Sequence, residues 1–220
     1  MYLLNNTMNT HAQKPDSKRL IRLHRFAGLT LATFIAIHLT NHLFALVSVE
    51  SHIHIMDYAR LLYRNPLGEA LLLIAIAVQI PSGIMLVRKK GWRGTEFAER
   101  VQVASGLYLS FFLVVHVFAV MVGRYYFNLD TNFYFGSSPL LSPLWWYYVP
   151  YYGLSVIAVF AHVASIHFQK MIPLVSLRQA RVQAILITLL GGIISMLIVL
   201  VFSGKIYHFV LPAKYQLFSM

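Results

Sequence analysis

Apolar residues along this chain fall in five long windows, over 26–49, 67–87, 103–123, 144–168 and 183–204. Each is close to the roughly twenty residues a helix needs to cross a hydrocarbon core. The breaks between them are short or moderate and carry charge, Pro, Asn or Gly. No segment is low in complexity, and nothing repeats at the roughly 20–50-residue period of a solenoid. In lipid a helix satisfies all of its own backbone groups. The pattern therefore predicts an all-α integral membrane bundle of five transmembrane helices. It forms one membrane domain over residues 1–220, with a polar N-terminal segment at 1–25.

Composition agrees with that reading. Hydrophobic residues make up 58% of the chain and charged residues 11%, with a mean hydropathy of +0.65. A soluble domain of this size carries about a quarter charged residues. The first twenty residues, including Asn5, Asn6, Lys14, Asp16 and Lys18, lack the basic-then-apolar run of a cleaved signal peptide. There are no cysteines. That excludes disulfides, thiolate-held zinc, iron–sulfur clusters and covalently attached c-type haem on this chain.

The net charge of +11 would suggest nucleic acid in a soluble protein, but here the spans sort it. The N-terminal side receives Lys14, Lys18, Arg19, Arg22, Arg25, Arg88, Lys89, Lys90, Arg93, Arg100, Lys170, Arg178 and Arg181. The other side receives Arg60, Arg64, Arg124, Lys205 and Lys214, a split of 13 to 5 among the 18 basic residues. Lysine and arginine concentrate in cytoplasmic loops, so the N-terminus is expected inside and the C-terminus outside. No nucleic-acid partner is expected. A basic inner face suits anionic membrane lipids or a docked acidic partner. Aromatic anchors fit the same frame: Trp145, Trp146, Tyr147, Tyr148, Tyr151, Tyr152, Tyr125 and Tyr126 outside, and Trp92 inside. Pro81-Ser82-Gly83 predicts a kink in span two, and Gly191-Gly192 predicts close packing of span five.

Polar side chains inside a membrane are costly and mark candidate sites. Here they are His38, His42, Gln79, His116 and His162, with Glu69 near a helix end and His24 and His167 at the inner boundary. No acidic residue lies deep in a span, which argues against a proton pump or cation transporter. At 1.5 Å per residue, His38 and His116 both sit roughly 18–20 Å into outward-running helices. Two imidazoles at one depth on neighbouring helices are what a six-coordinate b-type haem requires. His42, one turn from His38, is a substitute ligand or a hydrogen-bond partner. His162 and Gln79 share a second, inner level, but glutamine is a poor ligand for haem iron. Gln79 is read as structural or quinone-facing, and the level as holding haem, quinone or lipid. Interface or loop roles are expected of His42, His52, His54, His167 and His208, since a lone intramembrane histidine often only bridges two helices.

These segments resemble a known family. Arg22-Leu-His24-Arg-Phe-Ala-Gly28 followed by His38-Leu is similar to the first helix of the single-chain cytochrome b anchor of bacterial succinate dehydrogenases and fumarate reductases. The likeness continues through Val78-Gln79-Ile-Pro-Ser-Gly83, Leu113-Val-Val-His116-Val and Ala158-Val-Phe-Ala-His162-Val-Ala-Ser-Ile166. It ends at Arg178-Gln-Ala-Arg181, and so covers roughly residues 19–203 in order. Each motif alone is short; the ordered set carries the specificity.

The resemblance implies haem b at two levels, an outer one held by His38 and His116 and an inner one at the positions of Gln79 and His162. One haem is expected from it, with a second depending on the departure at Gln79. Phe160 stands where one branch of the family carries an acid, which speaks against a proton path of that kind. His24 matches a family histidine that meets a haem propionate or lines a quinone pocket. The implied activity is that of the membrane electron-transfer subunit of succinate dehydrogenase or fumarate reductase. Flavoprotein and iron–sulfur subunits would dock on the cytoplasmic face, quinone would be the substrate, and no dicarboxylate site would lie on this chain. Glu69 is the expected acid for proton exchange with quinone. A higher oligomer in the cell inner (cytoplasmic) membrane is expected, ahead of the mitochondrial inner membrane. The competing readings are a stand-alone transmembrane b-type cytochrome, the haem anchor of another dehydrogenase, and a haem-free structural subunit or small transporter.

Overall fold

The computed structural model describes residues 15–90 and 96–216. Trp92, Arg93 and the first fourteen residues, including Lys14, lie outside the described residues. Among the described residues five helices are long and apolar enough to cross a membrane: α1 (Pro15–Phe44), α3 (Pro66–Lys90), α4 (Phe97–Tyr125), α6 (Trp145–Met171) and α7 (Leu177–Phe202). Among the described residues every regular element is helical. The chain is a multi-pass membrane protein with an all-α, five-span bundle.

The first span ends earlier than its hydropathy suggests. Apolar residues continue to Val49, yet α1 stops at Phe44 and a second helix, α2 (Val49–Tyr63), begins at once. Ser48 makes the break. Its backbone is extended (φ −168°) and its hydroxyl accepts the Ser51 N–H at 3.0 Å, an N-cap that starts a new helix in a new direction. Val49, His52, Met56, Arg60 and Tyr63 recur every three or four residues, so α2 is amphipathic. It lies outside the spans and buries Val49, His52 and Met56. A five-residue helix α5 (Phe133–Ser137) and a 3-10 turn (Ser138–Leu141) fold over the same end. α3 continues through Pro81, and α6 through Pro150.

Packing divides the bundle into two blocks. α1 lies against α3, while α4, α6 and α7 pack together. The blocks meet lightly, through α1 with α7 and α3 with α4, and α1 and α4 share no extended contact. Within the second block, Phe160 packs directly onto Gly191, so an apolar ring fills the slot; Gly192 has nothing within 4 Å. Only one glycine of the Gly191-Gly192 pair therefore serves close packing.

The densest core sits at the end away from the N-terminus. There Ala45, Val49, Phe133, Leu140, Ile198, Val201 and Phe202 are buried together. Ion pairs tie that end. Arg60 and Arg64 both bind Asp130, at 2.6 and 3.1 Å, and Arg124 grips Glu69 with two hydrogen bonds of 2.9 and 3.0 Å. The second pair joins the first turn of α3 to the last turn of α4, one from each block.

Candidate functional site

α1 and α4 bring their mid-span histidines together. The His38 and His116 ring centroids are 6.3 Å apart, with their planes at 66°. One turn nearer the N-terminal face each ring has its own phenylalanine, at the same i−4 position. Phe34 stacks on His38 at 5.4 Å and Phe112 on His116 at 5.0 Å. Side chains four apart share one helix face, so both helices present the same Phe-above-His unit. Tyr152 of α6 closes on the edge of His116, at 6.4 Å. Neither histidine is fully buried although both lie mid-helix.

The 6.3 Å separation has a chemical meaning. A metal–imidazole bond is about 2 Å long and the ring centre lies about 1 Å behind the bonding nitrogen, so two imidazoles on opposite sides of one ion stand roughly 6 Å apart. The pair, its aromatic flanks and the absence of thiolates fit a six-coordinate b-type haem. One contact competes: His38 Nε2 is 3.1 Å from His42 Nε2. Were that nitrogen to bind a metal, the contact with His42 would be given up.

His42 belongs to a chain of imidazoles. Its Nδ1 lies 3.2 Å from His52 Nε2, which Asn41 Nδ2 also approaches, at 3.1 Å. His52 is 1% exposed and packs beside Phe133 and Phe202. Desolvation, with the charge of Arg60 adding to it, pulls its pKa down from 6.5 to about 4, so it is neutral at pH 7. Its Nδ1 and Asn41 Oδ1 are buried without a partner among the described residues. The sequence gives His52 an interface or loop role, of which the structure shows the interface, and it does not mark Asn41. The signal was present: Asn41 is polar within a span, and His52 lies on the apolar stripe of α2.

The level nearer the N-terminal face is built differently. His24 Nδ1 contacts Ser82 Oγ at 2.9 Å, and Gln79 Nε2 contacts His24 Nε2 at 3.3 Å. On α6, His162 Nδ1 is held at 3.0 Å by the Gln102 carbonyl and at 3.2 Å by Ser105 Oγ. His162 lies within electrostatic range of His24. The direct partner of Gln79 is thus His24, not His162. Each of the three side chains rests over a glycine of the neighbouring helix. A Cβ added at Gly28 would lie 3.2 Å from Gln79 Nε2, one at Gly83 3.1 Å from His24 Cε1, and one at Gly106 3.1 Å from His162 Cε1.

Glu69 is at neither level. Arg124 donates to both of its carboxylate oxygens and Tyr125 Oη lies 3.4 Å from Oε1. The side chains of Glu69 and Arg124 are 20% and 16% exposed. Glu69 is thus held in an ion pair and is not the lone acid that its place in the sequence suggests. His167 bridges to Gln183 of α7 at 2.9 Å, the helix-to-helix role its sequence position suggests. No family model, curated protein or solved structure in the comparisons matches this chain.

Proposed function

We propose that this chain is the haem b-bearing, quinone-reactive membrane anchor of a succinate:quinone oxidoreductase. It would lie in the cell inner membrane with its N-terminus in the cytoplasm. The observation that carries the reading is the adjacent His38–His116 pair, 6.3 Å apart on two helices that share no extended contact, each ring backed by its own phenylalanine. The ordered motifs that resemble the cytochrome b anchors supply the reaction class.

In this reading His38 and His116 would hold one haem b by its iron, each imidazole kept in place by the phenylalanine stacked on it. Bound there, haem supplies a one-electron carrier within the membrane. Tyr108 Oη donates to the Tyr151 carbonyl at 2.8 Å, fixing α4 on α6 and so the height of His116. The basic residues of the N-terminal face, Arg19, Arg22, Arg25, Arg88 and Lys89 among them, are exposed and would receive the flavoprotein and iron–sulfur subunits. The Glu69–Arg124 pair is read as a clasp between helix blocks, which removes the best lone acid from the quinone chemistry.

The test is purification of the tagged chain from its native membrane in mild detergent. Co-purifying flavoprotein and iron–sulfur subunits, with succinate-dependent quinone reduction, are the expected result. A chain that carries haem but no such partners would instead be a stand-alone b-type cytochrome. A chain without haem would be a structural membrane subunit.

A further inference from the structure

At the N-terminal end of the bundle the surface between α1 and α3 dips into a recess of about 240 Å³. Arg19, Leu20 and Leu23 of α1 line it, together with Met85 and Lys89 of α3. The two helices pack on each other, α1 leaving this end of the bundle and α3 returning to it. Arg19 precedes Leu23 by four residues, and Lys89 follows Met85 by four. A step of four keeps a side chain on one helix face and moves it about 6 Å along the axis. Each helix therefore presents a cation at the membrane edge and an apolar side chain one turn deeper.

Leu23 and Met85 are 49% and 46% exposed, although both belong to spans. The same face of α3 continues through Pro81 and Ala77, both exposed. Such short side chains leave room for a hydrocarbon chain to lie along the helix. Neither Arg19 nor Lys89 has an ion pair or hydrogen bond among the described residues, and no acidic side chain lines the recess. A second recess, on the neighbouring face of α1, is built otherwise. Lys18, Arg22 and Arg25 line it with one apolar residue, Ile21. Three cations with little apolar surface suit a soluble acidic partner. Two cations over apolar side chains suit a molecule that is anionic at one end and hydrocarbon at the other.

We propose that the recess between α1 and α3 binds one anionic phospholipid. Arg19 and Lys89 take its phosphate, the guanidinium through paired N–H donors and the ammonium as a point charge. One acyl chain lies along Leu23, Met85 and Pro81, so the lipid ties α1 to α3. A zwitterionic lipid offers the same phosphate beside a cation of its own and is held less well.

The test is native mass spectrometry of the purified full-length protein in nonionic detergent, with phosphatidylglycerol and phosphatidylcholine of equal chain length in competition. A cation near an anionic headgroup is worth roughly fivefold in affinity, so the two together should favour phosphatidylglycerol about twenty-five-fold. Arg19→Gln and Lys89→Gln should each lower that preference about fivefold, and the double variant should abolish it. Arg22→Gln with Arg25→Gln removes as many charges from the neighbouring recess and should leave the preference unchanged. All four side chains are exposed, so their removal opens no cavity in the fold. Glycerol phosphate in large excess, a headgroup without chains, should fail to displace the lipid. Equal binding of the two lipids, or a preference undiminished in the Arg19/Lys89 double variant, overturns the proposal. An equal loss in the Arg22/Arg25 variant overturns it too, by reducing the preference to the general charge of this face. Displacement by glycerol phosphate would make the recess a site for a soluble anion instead.

Discussion

Replacing Glu69 by Gln separates two roles that its position allows. Both carboxylate oxygens accept from Arg124, at 2.9 and 3.0 Å, and the side chains are about one-fifth exposed. Exposed pairs contribute up to about 1 kcal/mol, whereas breaking a buried pair costs about 3–5 kcal/mol. The intermediate burial places Glu69→Gln at about 2–3 kcal/mol. At roughly 2–4 °C per kcal/mol for a chain of this size, the melting temperature should fall by about 4–12 °C. His116 lies eight residues before Arg124 on α4, about 12 Å along the axis, so haem content should not change. The exchange Glu69→Arg with Arg124→Glu should recover only part of the loss. It puts a cation in the first turn of α3 and an anion in the last turn of α4, each opposed by the helix dipole by about 0.3–1 kcal/mol. The assay is thermal unfolding of detergent-purified protein, with quinone reduction measured in parallel. An unchanged melting temperature with quinone reduction lost would refute the clasp and return Glu69 to the proton-exchange role.

Acid should destabilise the protein in two separate windows. His52, neutral in the fold with a pKa of about 4 against an unfolded 6.5, binds its proton more readily unfolded. Its contribution is therefore complete above pH 6.5 and lost as pH falls toward 4, and His52→Gln should flatten that limb of a melting-temperature profile. At Asp130, desolvation pushes the pKa up, but hydrogen bonds and charge from Arg60 and Arg64 outweigh it and hold it below the usual value. That stability is present above about pH 4 and lost below it, a limb Asp130→Asn should remove. Gly204 closes α7 with φ +68°, the Gly204 N–H bonded to the Val201 carbonyl and the Lys205 N–H to that of Leu200. Gly204→Ala should cost about 1 kcal/mol, read as a melting temperature about 2–4 °C lower.

The number of spans and the fold class were legible because a membrane-crossing helix leaves a long apolar run that few other structures produce. The matched depth of His38 and His116 was legible for a similar reason, since residue count converts directly to height on a straight helix. Hydropathy failed where apolarity and direction part company. The run through Phe44-Ala-Leu-Val-Ser-Val49 stays apolar while the Ser48 cap turns the chain into α2. With α2 went His52, whose burial depends on a tertiary contact with α1 that no window of sequence contains. Gln79 and His162 have one depth, but depth does not specify partners. The Ser82 hydroxyl and the glycines facing the ring and amide decided that Gln79 turns to His24. Glu69 looked like a free acid because its counter-ion, Arg124, is 55 residues away.

The central claim is that His38 and His116 hold one haem, and a spectrum tests it most directly. A reduced-minus-oxidised difference spectrum, with pyridine-haemochrome quantification, should give about one haem b per chain in the purified protein. That signal should vanish in His38→Ala and in His116→Ala and persist in His162→Phe. Haem-free protein, or haem retained in both alanine variants, would contradict the account.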